Sequence, residues 1–232
     1  MDIKGSTALV TGANRGIGLA FAQALLAHGA AKVYAGVREP ETVRDPGLTP
    51  LRLDVTDEKQ VAAAARTAGD VGIVINNAGV TGGPPLLEGS FDGARREMEV
   101  NYFGTWAVSR AFAPVLAAQG GGALVTMLSV ASWVANRRFP SYAASKAAQW
   151  SLTNAFRLAL REQGTLVVGV YAGYVDTDLA ADVDSPKILA SEVAERTMAA
   201  LLHDEPEVLV DDATRRVRAA LSGDLETLYA GR

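Results

Sequence analysis

The 232-residue chain contains no cysteine, which excludes a disulfide framework, a thiol nucleophile and thiolate metal sites and fits a reducing compartment. Its two histidines, His28 and His203, have no partners at metal-ligand spacing, so no metal is expected. There is no long basic block, and the net charge is −4, which argues against a nucleic-acid partner. No apolar run approaches the length of a bilayer span, and the start "MDIKGSTALV" lacks a basic region followed by an apolar core. The expectation is a soluble, cytoplasmic protein with no membrane partner. Biased tracts and fixed-period repeats are also missing, which excludes disordered and solenoid architectures.

What is present is apolar sequence, 49% of the chain, distributed in short runs that alternate with longer helical stretches. The runs predict strands near 7–11, 32–37, 50–53, 71–76, 122–128, 166–171 and 207–210. Helices are expected near 16–28, 58–67, 91–118, 141–162, 189–203 and 212–221. Such alternation implies βαβ crossovers, hence a doubly wound, seven-stranded parallel sheet with helices on both faces, a Rossmann fold. One α/β domain spanning 1–232 is expected, since no stretch reads as an interdomain linker. The connection "EPETVRDPGLTP" is rich in proline, so its helix should be short or missing.

The stretch "LVTGANRGIGLAFAQAL" runs from a strand through three glycines, Gly12, Gly16 and Gly18, into an amphipathic helix. A helix that follows the first strand aims its free N–H groups at the carboxyl edge of the sheet, where phosphates bind. Glycines there let a ligand approach the backbone. The spacing is G-x-x-x-G-x-G rather than the commoner G-x-G-x-x-G, and by itself it equally describes a helix packed closely on a sheet.

A second motif is "YAASK", in which Tyr142 and Lys146 share one helix face. A tyrosine titrates near ~10 in isolation, and an adjacent cation favours its phenolate, making Tyr142 an acid/base candidate. Ser129 follows the apolar run "ALVTML" and so falls at the carboxyl edge of the sheet.

With "TGANRGIG" at 11–18, "LDV" at 53–55, "NNAG" at 76–79, Asn101 in "VNYFGTW", Ser129, "YAASK" and "AGYVDT" at 172–177, the chain resembles the classical branch of the short-chain dehydrogenase/reductase family and is similar to its carbonyl reductases. The resemblance implies that Tyr142 is the proton donor or acceptor and that Lys146 lowers its pKa and binds the nicotinamide ribose. It further implies that Ser129 polarises the substrate oxygen and that Asn101 kinks its helix and holds a water in the proton relay. A nicotinamide dinucleotide would lie along Gly12, Asn14, Arg15, Gly16, Ile17 and Gly18, with Asp54 and Val55 on adenine and Asn76, Asn77, Ala78 and Gly79 along the adenosine. Gly173, Val175 and Thr177 would hold the carboxamide end together with Tyr142 and Lys146. The chain departs from the family pattern at Ala172, where proline is usual, and at Leu128, where a polar residue is usual.

The tip of the second strand carries Arg38, and the glycine turn adds Arg15. Two guanidiniums converging on one point suit the 2′-phosphate of NADP(H); NAD(H) is the alternative if both are surface arginines. Substrate contacts are expected from Ser129, Ala131, Trp133, Phe139, Tyr142 and Tyr174, under a short lid at about 177–190. This mostly apolar set suggests a small-molecule ketone or aldehyde with an apolar body. A 3-oxoacyl-carrier-protein ketoreductase, using Arg137 and Arg138, is one alternative, and a catalytically silent dinucleotide sensor or scaffold is another. Apolar residues spread widely around the helices at 91–118 and 141–162 point to a homodimer or homotetramer.

Overall fold

The computed structural model describes residues 1–229. Seven strands form one sheet: β1 (Thr7–Thr11), β2 (Lys32–Val37), β3 (Thr49–Arg52), β4 (Ile73–Asn76), β5 (Ala123–Met127), β6 (Leu166–Tyr171) and β7 (Glu207–Leu209). Their order is β3-β2-β1-β4-β5-β6-β7, and every neighbouring pair is parallel. Parallel neighbours require crossovers. These are built on α1 (Gly16–Ala27), α2 (Glu58–Thr67), α3 (Asp92–Glu97), α4 (Thr105–Ala118), α5 (Pro140–Ala159) and α6 (Ala190–Leu202), and α7 (Asp212–Ala220) and α8 (Leu225–Tyr229) follow the last strand.

Successive strand residues point to opposite faces, and the two cores follow that parity. Val10, Ile75 and Val125 meet Phe21, Leu25 and Met198 of α1 and α6 on one face. Leu9, Val74 and Leu124 meet Val61, Val108, Phe112 and Leu116 of α2 and α4 on the other. Each of these side chains is almost fully buried, and each such burial contributes about 1.5–3 kcal/mol. The proline-rich connection after β2 makes only a single 3₁₀ turn, Pro40–Thr42. No helix among the described residues is long and apolar enough to cross a membrane.

The helix expected over 91–118 is not continuous. Between α3 and α4 the chain widens into a π-helical segment, Met98–Gly104. Gly104 packs there against Val55, whose Cγ2 would lie 2.6 Å from a Cβ. Within the same segment Asn101 turns its amide toward the loop after β4, accepting from Val80 N at 2.8 Å and donating to Val80 O at 2.9 Å. The extra residue per turn lets the helix meet both constraints, and helices use π segments at such places.

β1 sends the chain to β2 on one side, while β4 lies on its other side. At this reversal of strand order a crevice opens beyond the carboxyl ends of the strands.

Candidate active site

A cleft of about 1110 Å³ occupies that crevice. The glycine turn forms its floor. Gly12 and Gly16 have φ of +68° and +55°, values that side chains rarely adopt. A Cβ on Gly18 would collide with the Gly12 carbonyl oxygen. The turn is pinned from behind, since Gly12 N donates to Gly36 O at 2.7 Å and Asn77 Nδ2 donates to Thr11 O at 2.9 Å. Arg15, the residue that precedes α1, makes no side-chain hydrogen bond to the helix's first N–H groups. Those donors, with the positive end of the α1 dipole, suit a phosphate. The cradle therefore fits a dinucleotide.

Gly12, Asn14, Arg15, Gly16, Ile17, Gly18, Arg38, Asp54, Val55, Ala78, Gly79, Gly173, Val175 and Thr177 all line the cleft. Asn76 does not. It is buried, and its Nδ2 donates to Ser109 Oγ at 2.9 Å. Strand parity turns Asn76 away and gives its neighbour Asn77 the lining position. Arg15 pairs with Asp178 at 2.7 Å across the mouth, which joins the glycine turn to the segment after β6. Arg38 is exposed and has no ion-pair partner among the described residues, so the two arginines are not equivalent.

Ser129, Tyr142 and Lys146 line one end of the same cleft. Ser129 precedes a 3₁₀ turn, Val130–Ser132, and its Oγ accepts from Ala131 N at 3.1 Å. α5 starts at Pro140, so Tyr142 and Lys146 sit one turn apart near its head, with the Lys146 Nζ 5.7 Å from the Tyr142 ring centre. Lys146 is 4% exposed, and its Nζ donates to Met127 O at 2.9 Å and Gln149 Oε1 at 2.8 Å. Gln149 in turn donates to Thr105 Oγ1 at 2.7 Å.

The Tyr142 phenol is pushed up to about 12 by removal from water, against the lowering effect of the Ser129 hydroxyl and with the Glu97 charge adding to the rise. Burial also pushes Lys146 down to about 7. The spacing argument expects the cation to dominate and the phenol to fall; desolvation outweighs it, because the amine is itself destabilised as a cation where it lies.

Asn101 does not reach the cleft. It is fully buried, and besides its bonds to Val80 it donates to Ser145 Oγ at 2.9 Å. It therefore positions the loop after β4 against α5 and acts on the cleft through Val80, which lines it. Ala131, Phe139 and Tyr174 line the cleft, but Trp133 does not. Its ring stacks on Tyr171, with centres 4.1 Å apart, and Arg218 lies over it. The 3₁₀ turn after Ser129 rotates position 133 away from the opening.

Three residues here escape sequence reasoning. Gln149 holds Lys146. Arg216, within a basic run that reads as a solvated helix face, lines the cleft. Asp211 precedes α7, and its two oxygens do different work: Oδ1 accepts from Thr214 N at 2.7 Å, while Oδ2 accepts from Gly173 N at 2.6 Å. The second bond fixes the backbone beside Ala172, where a proline ring would otherwise restrict it.

A model of the family "short chain dehydrogenase" matches residues 6–187. A short chain dehydrogenase from Burkholderia cenocepacia J2315, solved in complex with NADP, superposes with a TM-score of 0.94 at 40% identity, covering 99% of this chain and 98% of that one. The 1-deoxy-11-beta-hydroxypentalenate dehydrogenase of Streptomyces exfoliatus is 36% identical over 81% of this chain and 74% of its own length. The 7alpha-hydroxysteroid dehydrogenase of Escherichia coli K12 is 32% identical over 81% and 78%. With a glycine-turn cradle at the switch point and a Ser, Tyr and Lys gathered at one end of it, the chain belongs to the short-chain dehydrogenases, oxidoreductases of hydroxyl and carbonyl groups.

Proposed function

We propose that this protein is an NADP(H)-dependent oxidoreductase that interconverts a ketone or aldehyde with an apolar body and the corresponding alcohol. The observation that carries the reading is the placement of Ser129, Tyr142 and Lys146 at one end of a cleft whose other parts are a glycine cradle and the exposed Arg38. The NADP in the Burkholderia cenocepacia relative supports the cofactor. A nicotinamide cofactor held there supplies or accepts the hydride. Tyr142, with its phenol held up to about 12, carries its proton at neutral pH and gives it to the carbonyl oxygen as charge develops there. The Ser129 hydroxyl donates to the same oxygen and orients it. Lys146 would hold the nicotinamide ribose of such a cofactor, and its ammonium stabilises charge on the phenol as the proton leaves. Residues 177–190 act as a lid, its start tied to the glycine turn by Arg15 and Asp178 and its later part bridged back at Val175 and Ile188. Ala131, Phe139 and Tyr174 give the substrate end an apolar wall. A panel of ketones, aldehydes and alcohols followed by nicotinamide absorbance with both cofactors tests this reading. Turnover of apolar carbonyls with NADPH is expected, and no turnover with any member of the panel overturns it.

Asp211 offers a sharper check of the cofactor end. In Asp211→Asn the side-chain oxygen still accepts from Thr214 N, while an amide N–H₂ faces the Gly173 N–H. Losing that acceptor costs about 1–3 kcal/mol locally. The expected result is a rise in the NADPH dissociation constant of roughly ten-fold together with a fall of a few degrees in melting temperature. Unchanged NADPH affinity contradicts it.

We also propose a homodimer or homotetramer. Phe103 and Trp106 are 47% and 41% exposed, and Tyr102 packs edge-on to both; Leu158 of α5 is 76% exposed. Val108, Phe112 and Leu152, from the same two helices, and Leu160, just past the end of α5, are spent on the monomer's own core. The apolar surplus is thus smaller than helix periodicity suggests, and Tyr102, Phe103 and Trp106 form one exposed aromatic cluster that an assembly would cover. Light scattering at micromolar concentration is expected to give two or four times the 24.3 kDa chain mass, and the single-chain mass refutes the assembly.

A further inference from the structure

The cleft runs across the carboxyl ends of the strands, and its cations are spread along it. Arg38 and Arg15 follow β2 and β1, at the phosphate end, and Lys146 stands with Tyr142 near the Ser129 turn that follows β5. Arg96 on α3 follows β4, on the cofactor side of β5, and Lys187 belongs to the lid. Arg216 alone among them follows β7. Neighbouring strands lie about 4.8 Å apart, so four steps put the end of β7 roughly 19 Å from that of β1, and two steps put it roughly 10 Å from that of β5. A charge beyond β7 is remote from a phosphate on the glycine turn and close to whatever rests against Ser129.

The head of α7 aims Arg216 into the cleft. Asp211 Oδ2 accepts from Gly173 N at 2.6 Å and its Oδ1 from Thr214 N at 2.7 Å, which docks the helix on the chain leaving β6. Thr214 and Val217 are buried and face inward. At about 100° per residue the other side chains then divide between two flanks. On one flank Arg215 pairs with Asp212 at 2.6 Å and Arg218 with Glu207 at 3.3 Å. On the other, Ala213 and Arg216 line the cleft. Arg216 is exposed and has no hydrogen-bond or ion-pair partner among the described residues. Asp211, its neighbour along the cleft wall, has both oxygens occupied. Arg137 and Arg138 do not line the cleft, and Arg138 is spent on Asp182 O at 2.9 Å. An apolar wall from Ala131, Phe139 and Tyr174, with an uncommitted guanidinium beyond it, is complementary to an apolar body that ends in a carboxylate, which a guanidinium grips with two parallel N–H donors.

We propose that Arg216 is a specificity-determining residue: it receives the carboxylate of a substrate whose ketone or aldehyde lies against Ser129 and Tyr142, so that the protein acts on oxo acids with an apolar spacer, and on the matching hydroxy acids, in preference to neutral carbonyl compounds. The proposal rests on the reading of the cleft as a carbonyl–alcohol site and narrows its substrate class. Aryl methyl ketones with a para carboxylate attached directly, through two methylenes or through four test it, each against its own primary amide, which keeps the body and removes the charge. With NADPH, kcat/KM is expected to favour the best acid over its amide by about ten-fold, a modest ratio because Arg216 is exposed. Arg216→Met keeps an unbranched stem without the charge. It is expected to bring that acid down to the level of its amide, chiefly through KM, and to leave the amide little changed. Arg215→Met removes a charge from the other flank of α7 and is expected to preserve the ratio, which separates a contact from the general field of the helix. Equal kcat/KM for every acid and its amide in the unaltered protein, or equal losses for both in Arg216→Met, overturns the proposal. Absence of turnover with all six compounds instead overturns the carbonyl–alcohol reading, and calorimetric binding of the same compounds then decides the anion site: an acid whose binding is lost in Arg216→Met upholds it, and acids that bind no better than their amides overturn it.

Discussion

Tyr142→Phe is expected to lower turnover by at least two to four orders of magnitude, the range that a positioned general acid supplies, while NADPH binding changes little. The substitution removes one oxygen and its proton from a side chain that lines the cleft beside Ser129 and Lys146. It leaves the ring, its packing and the helix untouched. No other group is poised to take over. Ser129 bonds to Ala131 N and weakly, at 3.4 Å, to Ala172 O, so its hydroxyl is an orienting donor with no base behind it. Lys146 is held by Met127 O and Gln149 Oε1. Since burial keeps the phenol protonated at neutral pH, the loss should be visible in the reductive direction without raising the pH. Fluorescence titration with NADPH and steady-state rates on the same protein separate the two effects, and near-normal turnover sinks the assignment of Tyr142.

The sheet was legible because its central strands are buried on both faces, and seven short apolar runs separated by helical periods admit few arrangements. The glycine turn and the head of α5 were legible for a related reason: their chemistry depends on spacings of a few residues. Features set by contacts across the chain were not. Asp211 reaches Gly173 from 38 positions away, and nothing local marks it as more than a helix cap. Glu97 reads as one more charge in "DGARREMEV", although the fold buries it. The family resemblance implied a kink at Asn101, and the break at Met98–Gly104 contains it. Helix periodicity alone did not show it, because Val55 pressing on Gly104 and Val80 taking the Asn101 amide are partners that no window of periodicity contains. The misplacement of Asn76 has a different origin, since strand parity was available and a motif was read as a block instead of residue by residue. The direction of the Tyr142 shift was missed because sequence displays the partner charge and hides the desolvation that outweighs it.

Arg38→Asp is expected to reverse the cofactor preference. Arg38 sits just beyond the end of β2, exposed and without an ion-pair partner among the described residues, whereas Arg15 is already engaged by Asp178 at 2.7 Å. A cofactor phosphate at the tip of β2 would therefore draw first on Arg38. Hydrogen bonds to a charged group contribute about 1.5–3 kcal/mol, and solvent exposure places this one toward the lower end. Aspartate removes that contact and adds repulsion toward a 2′-phosphate dianion, while its carboxylate can accept from the 2′- and 3′-hydroxyls that NAD presents. The loss for NADPH should be roughly ten- to a hundred-fold in kcat/KM, with NADH gaining or holding level, so the ratio inverts. Arg15→Ala is expected to cost NADPH less, because its guanidinium must leave Asp178 before it can serve a phosphate. Competition between NADPH and NADH at fixed carbonyl concentration measures the ratio in both proteins. If the unaltered protein already favours NADH, or if Arg38→Asp leaves the ratio where it was, the phosphate is not read at the tip of β2.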